Sequence, residues 1–411
     1  MKKSFWTLFI LGVLIFCAYI PLNSTGAKDA KELAVNSVDE SFQYPFLIHM
    51  ITPGQTPSET RWRLISYGHY IYGYPFYVAN ALAAAPIQMI YGLETEQQVQ
   101  LIVLVERQMV SVLPMLLAIG VLTYLATRFR SPVSSAAVFL FLNTIPGIVR
   151  QNIWWWHPDA LTILCVALTF LFLDRDSFRF GRNFYIAAVF CGLAVGIKTI
   201  GLFFAPVIAY LLIFSLFRRQ ITWKKAVLSG AGFIGVMVAS IFISNPLMFI
   251  PSAFERIMRI HIDHNYFFTH GWADSDPYGV GWEAWQPVLN GWYAPFVFLG
   301  FALLANAVNA GWGRIKEISR QYLAWIIPFS LYVVYVIAVK PDHYWMPVML
   351  PLFSGVIPLL EYLLEQFKAV RKTDPEKAFL FACAAVLTVA ILLTQIIFNL
   401  KTSWGVYSNI L

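Results

Sequence analysis

The sequence predicts an all-α, polytopic helical membrane protein of about eleven transmembrane helices, forming one domain over residues 1–411. The chain is 59% hydrophobic and only 12% charged, with a mean hydropathy of +0.64. A soluble domain carries about 25% charged residues, so the deficit places most of this chain in lipid. The net charge of +7 is therefore assigned to membrane topology, and we predict membrane-lipid contacts and no nucleic-acid partner.

Eleven apolar runs account for the predicted spans. A membrane-spanning helix needs about 20 mostly apolar residues, and two of the runs, 160–173 and 183–197, reach that length only with their flanks. The runs are Phe5–Leu22, Gln108–Thr127, Pro132–Val149, Ala160–Leu173, Asn183–Ile197, Thr199–Phe217, Ala226–Ile250, Val288–Asn309, Gln321–Val339, Tyr344–Leu360 and Ala378–Leu400.

The distribution of charge orients the chain. With the N-terminus inside, the short inner loops hold 18 of the 29 basic residues, and the outer side holds 15 of the 22 acidic residues. This asymmetry follows the positive-inside rule and predicts an inner-membrane protein with a cytoplasmic N-terminus. The first run, Phe5–Leu22, follows two lysines and also resembles a signal peptide, but its unbroken length favours an uncleaved helix.

The segment Tyr74–Leu93 is uncharged but does not fit this count. If it crossed the membrane, every later loop would change sides and the basic clusters would fall outside. We therefore predict that it lies in the interface or is half inserted. Residues 23–107 then form one long first outer loop with interfacial helices.

The first outer loop holds two adjacent carboxylates, Asp39 and Glu40, just after the first span. We predict a short interfacial helix over Asp39–Met50, ended by Pro53-Gly54. An aromatic and glycine-rich block follows at residues 67–75, in which His69, Tyr70 and Tyr74 are candidates for substrate contact. This block is either an interfacial aromatic belt or a wall that stacks on sugar rings.

Two short outer turns carry isolated charges. Trp154-Trp155-Trp156 anchor the loop that ends at His157 and Asp159, where Asp159 is either a helix N-cap or a site residue. Lys198 is the single charge between Arg182 and Arg218. It either snorkels to the interface or meets a lipid phosphate at that depth.

A second large outer loop spans residues 251–287. His261, Asp263 and His264 are residue types that ligate zinc or manganese, so a divalent metal is possible here, although a solvated polar loop is the simpler interpretation and no cofactor is certain. Arg256 and Arg259 would share a helix face and could clamp a phosphate.

The last outer turn runs from Lys340 through His343 and Tyr344 at the mouth of a span. The sequence contains no Walker A motif, which argues against an ATP-driven pump.

Four stretches together resemble the GT-C membrane glycosyltransferases, close to the protein-O-mannosyltransferase and aminoarabinose-transferase branch. They are Asp39-Glu40 after the first span, the aromatic and glycine-rich block at residues 67–75 followed by Arg107, the Gly-Leu-Ala-Val-Gly-Ile-Lys turn that ends at Lys198, and residues 342–351, which enter a late span. His343 departs from the family pattern, because an Arg is usual there.

This resemblance implies transfer of a hexosyl or pentosyl group from a polyprenyl-phosphate donor to an acceptor hydroxyl at the outer face, with inversion. Asp39 matches the family's base, and Glu40 is either a second catalytic carboxylate or a structural neighbour. The outer-side groups expected at the donor phosphate are Lys198, Arg256, Arg259, Lys340, His343 and Tyr344, and those expected at substrate are His69, Tyr70, Tyr74, Arg107, His157 and Asp159. The short sequence after the last span suggests a lipid or glycan acceptor rather than a folded protein.

Two other classes of protein remain open. A lipid-linked oligosaccharide flippase would place its charged groups near the membrane midplane, whereas here they concentrate in loops. An O-antigen-type polymerase or ligase usually carries its large outer loop late in the chain, whereas here the longest loop comes first.

Overall fold

In the computed structural model, which describes residues 1–271 and 279–408, every regular element is helical. The predicted all-α class is confirmed. The α-helices are α1 (Lys2–Asn23), α2 (Ala30–Asn36), α3 (Val38–Ile51), α4 (Pro57–Ile65), α5 (Tyr74–Tyr91), α6 (Val99–Glu106), α7 (Leu113–Thr127), α8 (Pro132–Asn143), α9 (Pro146–Asn152), α10 (Asp159–Asp176), α11 (Arg182–Ile197), α12 (Ala205–Phe217), α13 (Trp223–Ser244), α14 (Pro251–His270), α15 (Trp282–Trp292), α16 (Phe296–Gly311), α17 (Lys316–Tyr335), α18 (Met346–Ser354), α19 (Val356–Val370) and α20 (Pro375–Ser408).

The number of spans differs from the predicted eleven. Six helices of the described chain are long and apolar enough to cross a membrane, or eight if each of two bent pairs is one span. The other three predicted spans are α10, α11 and α17. Helix α11 has only 16 residues, and α10 and α17 carry charged residues at their ends. The count of eleven is therefore not confirmed, because these three helices reach membrane length only with polar flanks.

Two predicted spans are broken rather than straight. Helices α8 and α9 meet at 71°, and α15 and α16 meet at 90°. Pro146 begins α9 and Pro295 precedes α16. A proline lacks the backbone N–H that would continue a helix and disfavours helical geometry in the residue before it, so both bends lie where the sequence places one.

The segment predicted to lie in the interface forms α5, which is not among the helices that could cross the membrane. Its start is fixed by a close approach of two backbones. Gly73 donates its N–H to the carbonyl of Ile197 at 3.0 Å, and a Cβ at Gly73 would lie 1.4 Å from the carbonyl oxygen of Gly196. Only glycine fits there, and this contact seats the first outer loop on the end of α11, next to Lys198.

Two clusters of buried apolar side chains form the interior. The larger runs through the membrane-spanning helices, and the smaller joins α3, α5 and α6 to Trp156, Ile197 and Leu247. The smaller cluster holds the helices of the first outer loop against the ends of α10, α11 and α13. We call this side of the molecule, where α1 ends at Asn23, the site face.

Candidate active site

The first feature of the site face is a fully buried ion pair between Glu40 and Arg107, each with 0% exposure. The guanidinium donates to both carboxylate oxygens, with Nε–Oε1 at 2.8 Å and Nη2–Oε2 at 2.5 Å. Glu40 Oε1 also accepts from the backbone N–H of Trp156 at 2.6 Å, and Arg107 Nη1 donates to the carbonyls of Asn23 and Thr25. The pair therefore joins α1, α3, α6 and the loop before α10, and its bonds leave neither group directed to a ligand.

Asp39 lies one residue earlier on α3 and has the opposite environment. It is exposed, and its Oδ2 accepts a hydrogen bond from Trp155 Nε1 at 3.0 Å. Its Oδ1 accepts no hydrogen bond from the described residues. Successive helical residues point about 100° apart, which is why one carboxylate of the pair is buried in the protein and the other opens outward. Asp39 thus presents an oriented carboxylate with one free oxygen.

An aromatic wall stands beside Asp39. His69 is 7% exposed, stacks on Phe46 with ring centroids 5.2 Å apart, and contacts Phe42 edge-on at 5.0 Å. Its Nδ1 forms a short hydrogen bond with the hydroxyl of Tyr77. Burial lowers the pKa of His69 to about 4, although the nearby Asp39 carboxylate opposes this shift. His69 is therefore a neutral part of the wall.

A chain of polar contacts crosses the site from Tyr72 to Lys198. The Tyr72 hydroxyl meets His157 Nε2 at 2.7 Å, and His157 Nδ1 lies 2.6 Å from Asp159 Oδ2. Lys198 Nζ donates to Asp159 Oδ1 at 2.6 Å. Burial lowers the pKa of His157, against the opposing effect of the Asp159 charge. Asp159 is the first residue of α10 rather than its N-cap, which is Pro158, and its carboxylate holds Lys198 instead of capping the helix.

The turn at residues 342–345 closes this arrangement. His343 Nε2 lies 3.8 Å from Asp159 Oδ2, and the Tyr344 ring lies 4.9 Å from Lys198 Nζ. Trp155 stacks on His157 with centroids 4.4 Å apart and contacts His343 at 4.9 Å. Since Trp155 also donates to Asp39, a single side chain connects the exposed carboxylate to the histidines and thus to Lys198.

A cavity of about 410 Å³ opens at Lys198. Lys198, Tyr344, His261 and His264 line it together with apolar side chains that include Leu202 and Phe329. His261 and His264 come from α14, where their i, i+3 spacing puts both on one face. Burial lowers the pKa of His264 to about 4. The cavity therefore combines a lysine with long apolar walls, which suits a ligand with an anionic head and an apolar chain.

Three cations predicted to contact the donor phosphate, Lys340, Arg256 and Arg259, do not line the cavity at Lys198. Lys340 Nζ donates to the carbonyls of Gly279, Ile337 and Ala338 and lies 4.7 Å from the Trp285 ring centre. Arg259 forms an exposed ion pair with Glu255 at 3.0 Å. Arg256 lies over the ring of Tyr70 at 5.3 Å.

Two further candidates, Asp263 and Tyr74, lie outside the polar cluster around Lys198. Asp263 is exposed and does not line the cavity. The backbone N–H of Tyr74 donates to Asn245 Oδ1 at 2.8 Å, which fixes the start of α5. The part of the second outer loop at 272–278 lies outside the described residues.

The group that is suited to a metal differs from the predicted one. In the described chain, His157, Asp159 and His343 present ligand atoms within 4.8 Å of one another, whereas His261, Asp263 and His264 form no such group. Nitrogen and oxygen donors suit zinc or manganese. Lys198 already engages Asp159 Oδ1, so an ion would bind at Asp159 Oδ2, which lies 2.6 Å from His157 Nδ1 and accepts no hydrogen bond from the described residues.

Sequence reasoning missed Trp155 and Tyr72 as site residues. The three-tryptophan run is typical of a membrane anchor, and the block that contains Tyr72 is typical of either an interfacial belt or a sugar-stacking wall, so neither pattern singles out one side chain. The signal available in the sequence was position: Trp155 stands two residues before His157 in the same loop as Asp159. A tryptophan in such a loop carries an N–H donor, which Asp39 receives here.

No family model and no curated protein matches this chain. Among solved structures, the apo form of the oligosaccharyltransferase of Archaeoglobus fulgidus is similar over 97% of this chain and 56% of its own, with 13% identity and a TM-score of 0.53. The ArnT protein of Cupriavidus metallidurans bound to undecaprenyl phosphate is similar over 90% of this chain and 75% of its own, with 12% identity and a TM-score of 0.44. A complex of the Archaeoglobus protein with an inhibitory peptide and a dolichol-phosphate gives 14% identity, 81% and 48% coverage, and a TM-score of 0.41.

The fold and the polar cluster define a polytopic helical membrane protein with a candidate site at one membrane face. Its fold is that of the GT-C membrane glycosyltransferases, as the sequence resemblance predicts. The chain spans about half the length of the archaeal oligosaccharyltransferase.

Proposed function

We propose that this protein is an inverting GT-C glycosyltransferase that moves a sugar from a polyprenyl-phosphate donor to an acceptor hydroxyl. The observation that carries the proposal is the pairing of two features on one face. Asp39 is an exposed, oriented carboxylate, and Lys198 lines an apolar cavity. Contacts through Trp155, His157 and Asp159 connect Asp39 to Lys198. A base and a cation beside an apolar cavity are the two elements that this chemistry requires.

In the proposed reaction, Asp39 takes the proton of the acceptor hydroxyl as the oxygen attacks the anomeric carbon. The bond from that carbon to the phosphate oxygen breaks, and its electron pair leaves with the lipid phosphate. Phosphate departs as an anion, so no general acid is needed. Lys198, with His343 beside it, balances the developing charge.

The polar contacts around Lys198 support a positioning role for Asp159 and His157. The buried Asp159 carboxylate draws the ammonium to a fixed point, and His157 is held from its other side by the Tyr72 hydroxyl. Such fixed charges stabilise a transition state without reorganisation. The undecaprenyl phosphate of the ArnT complex and the dolichol-phosphate of the archaeal complex are ligands of the kind proposed here.

The proposal places the site on the outer face of the inner membrane, with the N-terminus in the cytoplasm. Its support is the charge count, in which basic residues concentrate in the loops opposite the site face. The acceptor class comprises lipids, glycans and proteins that offer a hydroxyl group.

The decisive test is an Asp39→Asn variant. Purified protein is incubated with labelled polyprenyl-phosphate sugars, and loss of sugar from the lipid is measured. We expect a fall of about 10²- to 10⁴-fold, the usual contribution of a general base. Asp29→Asn is the matched control, because Asp29 is an exposed carboxylate that caps α2 in the same loop, and asparagine caps equally well.

Wild-type transfer by a folded Asp39→Asn protein would remove the base assignment. Movement of intact lipid-linked sugar across vesicles without cleavage would indicate a flippase instead. A product in which the transferred glycan itself grows would indicate a polymerase or ligase.

A further inference from the structure

A groove runs between α1 and α7, and its Lys2 end lies opposite the site face. It encloses about 920 Å³ and is lined by apolar side chains such as Phe9 and Phe16 of α1, Leu117 and Tyr124 of α7, and Phe139 of α8. Helix α1 is only 11% buried over its membrane window, and Phe9 and Leu117 are about half exposed. This groove therefore faces the lipid with its apolar walls.

Two cations stand at the end of this groove where α1 begins. Lys2 and Arg175 line it there, and neither forms an ion pair with a carboxylate in the described chain. The two acidic neighbours of Arg175 are already engaged. Asp174 pairs with Arg128 at 2.5 and 2.6 Å, and Asp176 accepts from the N–H groups of Phe180 and Gly181. The groove mouth thus carries uncompensated positive charge.

The length of the groove matches an acyl chain. It runs along α1 from Lys2 to Phe16, a rise of about 21 Å at 1.5 Å per residue. The hydrocarbon core of a bilayer is about 30 Å thick, so the groove extends from one membrane face past the midplane. A ligand that fills it has an anionic head at Lys2 and Arg175 and a long apolar tail.

Gly120 in the middle of α7 lines the groove, and a Cβ at this position would meet no protein atom within 4 Å. A glycine inside a helix costs about 1 kcal/mol relative to alanine. Protein packing does not require this glycine, so the open space beside it belongs to the groove.

We propose that this groove is a binding site for one anionic phospholipid of the leaflet at which α1 begins. The head group lies between Lys2 and Arg175, and an acyl chain extends past Gly120. The positive mouth selects against zwitterionic lipids. The site is separate from the proposed catalytic cluster, and it does not depend on the proposed reaction.

The test uses native mass spectrometry of the full chain after exposure to phosphatidylglycerol or to phosphatidylcholine with the same acyl chains. We expect one retained phosphatidylglycerol and weaker retention of phosphatidylcholine. Lys2→Gln and Arg175→Gln should each reduce retention about five-fold, the effect of one cation near an anionic head group. Gly120→Leu should also reduce it, because the new side chain occupies the groove while both cations remain.

Lys224→Gln is the matched control, since Lys224 is exposed and does not line the groove. It removes one positive charge next to Lys225, whose Nζ donates to the carbonyl of Arg179, four residues after Arg175. It should retain phosphatidylglycerol as the wild type does. Equal retention of the two lipids by the wild type would overturn the proposal. Unchanged phosphatidylglycerol retention in Gly120→Leu would also overturn it. So would a dimer that forms without retained lipid, because a second copy of the chain would then cover the groove.

Discussion

The neighbouring carboxylates Asp39 and Glu40 show how single residues are assigned roles. Glu40 receives two bonds from Arg107 and one from the backbone of Trp156, so its charge is fully used inside the protein. Asp39 receives one bond, from Trp155, and opens outward. A carboxylate that holds the scaffold and the one that we propose as the base thus differ by one position on a helix.

Lys198 is the cation for which a large effect on catalysis is expected. In Lys198→Gln we expect transfer to fall by roughly 10²-fold or more, since a fixed charge at a developing anion contributes on that order. Steady-state rates separate a loss in kcat from a loss in KM. Lys31→Gln, at an exposed lysine in the first outer loop, should transfer at the wild-type rate.

Lys340→Gln provides the comparison between candidate cations. Its ammonium donates to the backbone carbonyls of Ile337 and Ala338, and Lys340 does not line the cavity, so its loss should lower transfer less than the loss of Lys198 does. The reverse order would show that Lys340, rather than Lys198, meets the phosphate.

His69 makes stability depend on pH. Its pKa is about 4 in the folded protein and about 6.5 when unfolded, so the unfolded chain binds the proton first. Stability contributed by neutral His69 is present above pH 6.5 and is lost as the pH falls toward 4. Thermal unfolding midpoints between pH 7 and 4 should fall less steeply for His69→Gln than for the wild type.

Replacing an exposed histidine, as in His49→Gln, should leave that slope as it is. Parallel curves for His69→Gln and the wild type would contradict the assignment.

At the scale of elements, the site depends on how α3 is attached to the membrane-spanning helices. The buried Glu40–Arg107 pair joins α3 to the start of the π-helical segment Arg107–Val112, an irregularity that is frequent at functional sites. Glu40 also accepts from the loop that carries Trp155, His157 and Asp159. Movement of α3 would therefore disturb both Asp39 and the residues it faces.

Glu40→Gln and Arg107→Met should each destabilise the protein by about 3–5 kcal/mol, because each leaves one buried charge unpaired. The double variant should be more stable than the sum of the two losses predicts, since it leaves no charge. Unfolding of the wild type, the two single variants and the double variant, measured in detergent, gives the coupling energy between Glu40 and Arg107. Additive losses would show that the two side chains act independently.

Across the whole molecule, the candidate site is assembled from segments that are distant in sequence. Asp39 comes from the first outer loop, Asp159 from the start of α10, Lys198 from the end of α11, and His343 from a late turn. The GT-C fold brings these ends to one face. The apolar helices form the membrane-embedded core, whereas the residues of the candidate site lie at helix ends and in loops.

This assembly also predicts how the protein responds to chelation. Lys198 donates to Asp159 Oδ1 at 2.6 Å, so the ammonium already balances the charge of that carboxylate, although Asp159 Oδ2 accepts no hydrogen bond from the described residues. We expect transfer to persist after treatment with a chelator. Loss of activity that manganese or zinc restores would show instead that an ion binds Asp159 Oδ2, with His157 and His343 as its other ligands.

The sequence by itself determined the helical class, the position of most apolar helices, the GT-C resemblance and the candidates Asp39 and Lys198. Each of these depends on local composition or on a short motif. The helix predicted over Asp39–Met50 is confirmed as α3, for the same reason.

Only the tertiary structure decided which candidates meet. Burial of Glu40 depends on Arg107, 67 positions away, and the orientation of Asp39 depends on Trp155, 116 positions away. The cavity at Lys198 needs α14 and α17 as walls, and the metal-capable group unites His157 with His343. Such contacts join side chains that no local pattern relates, because packing of the membrane helices sets which of their ends become neighbours.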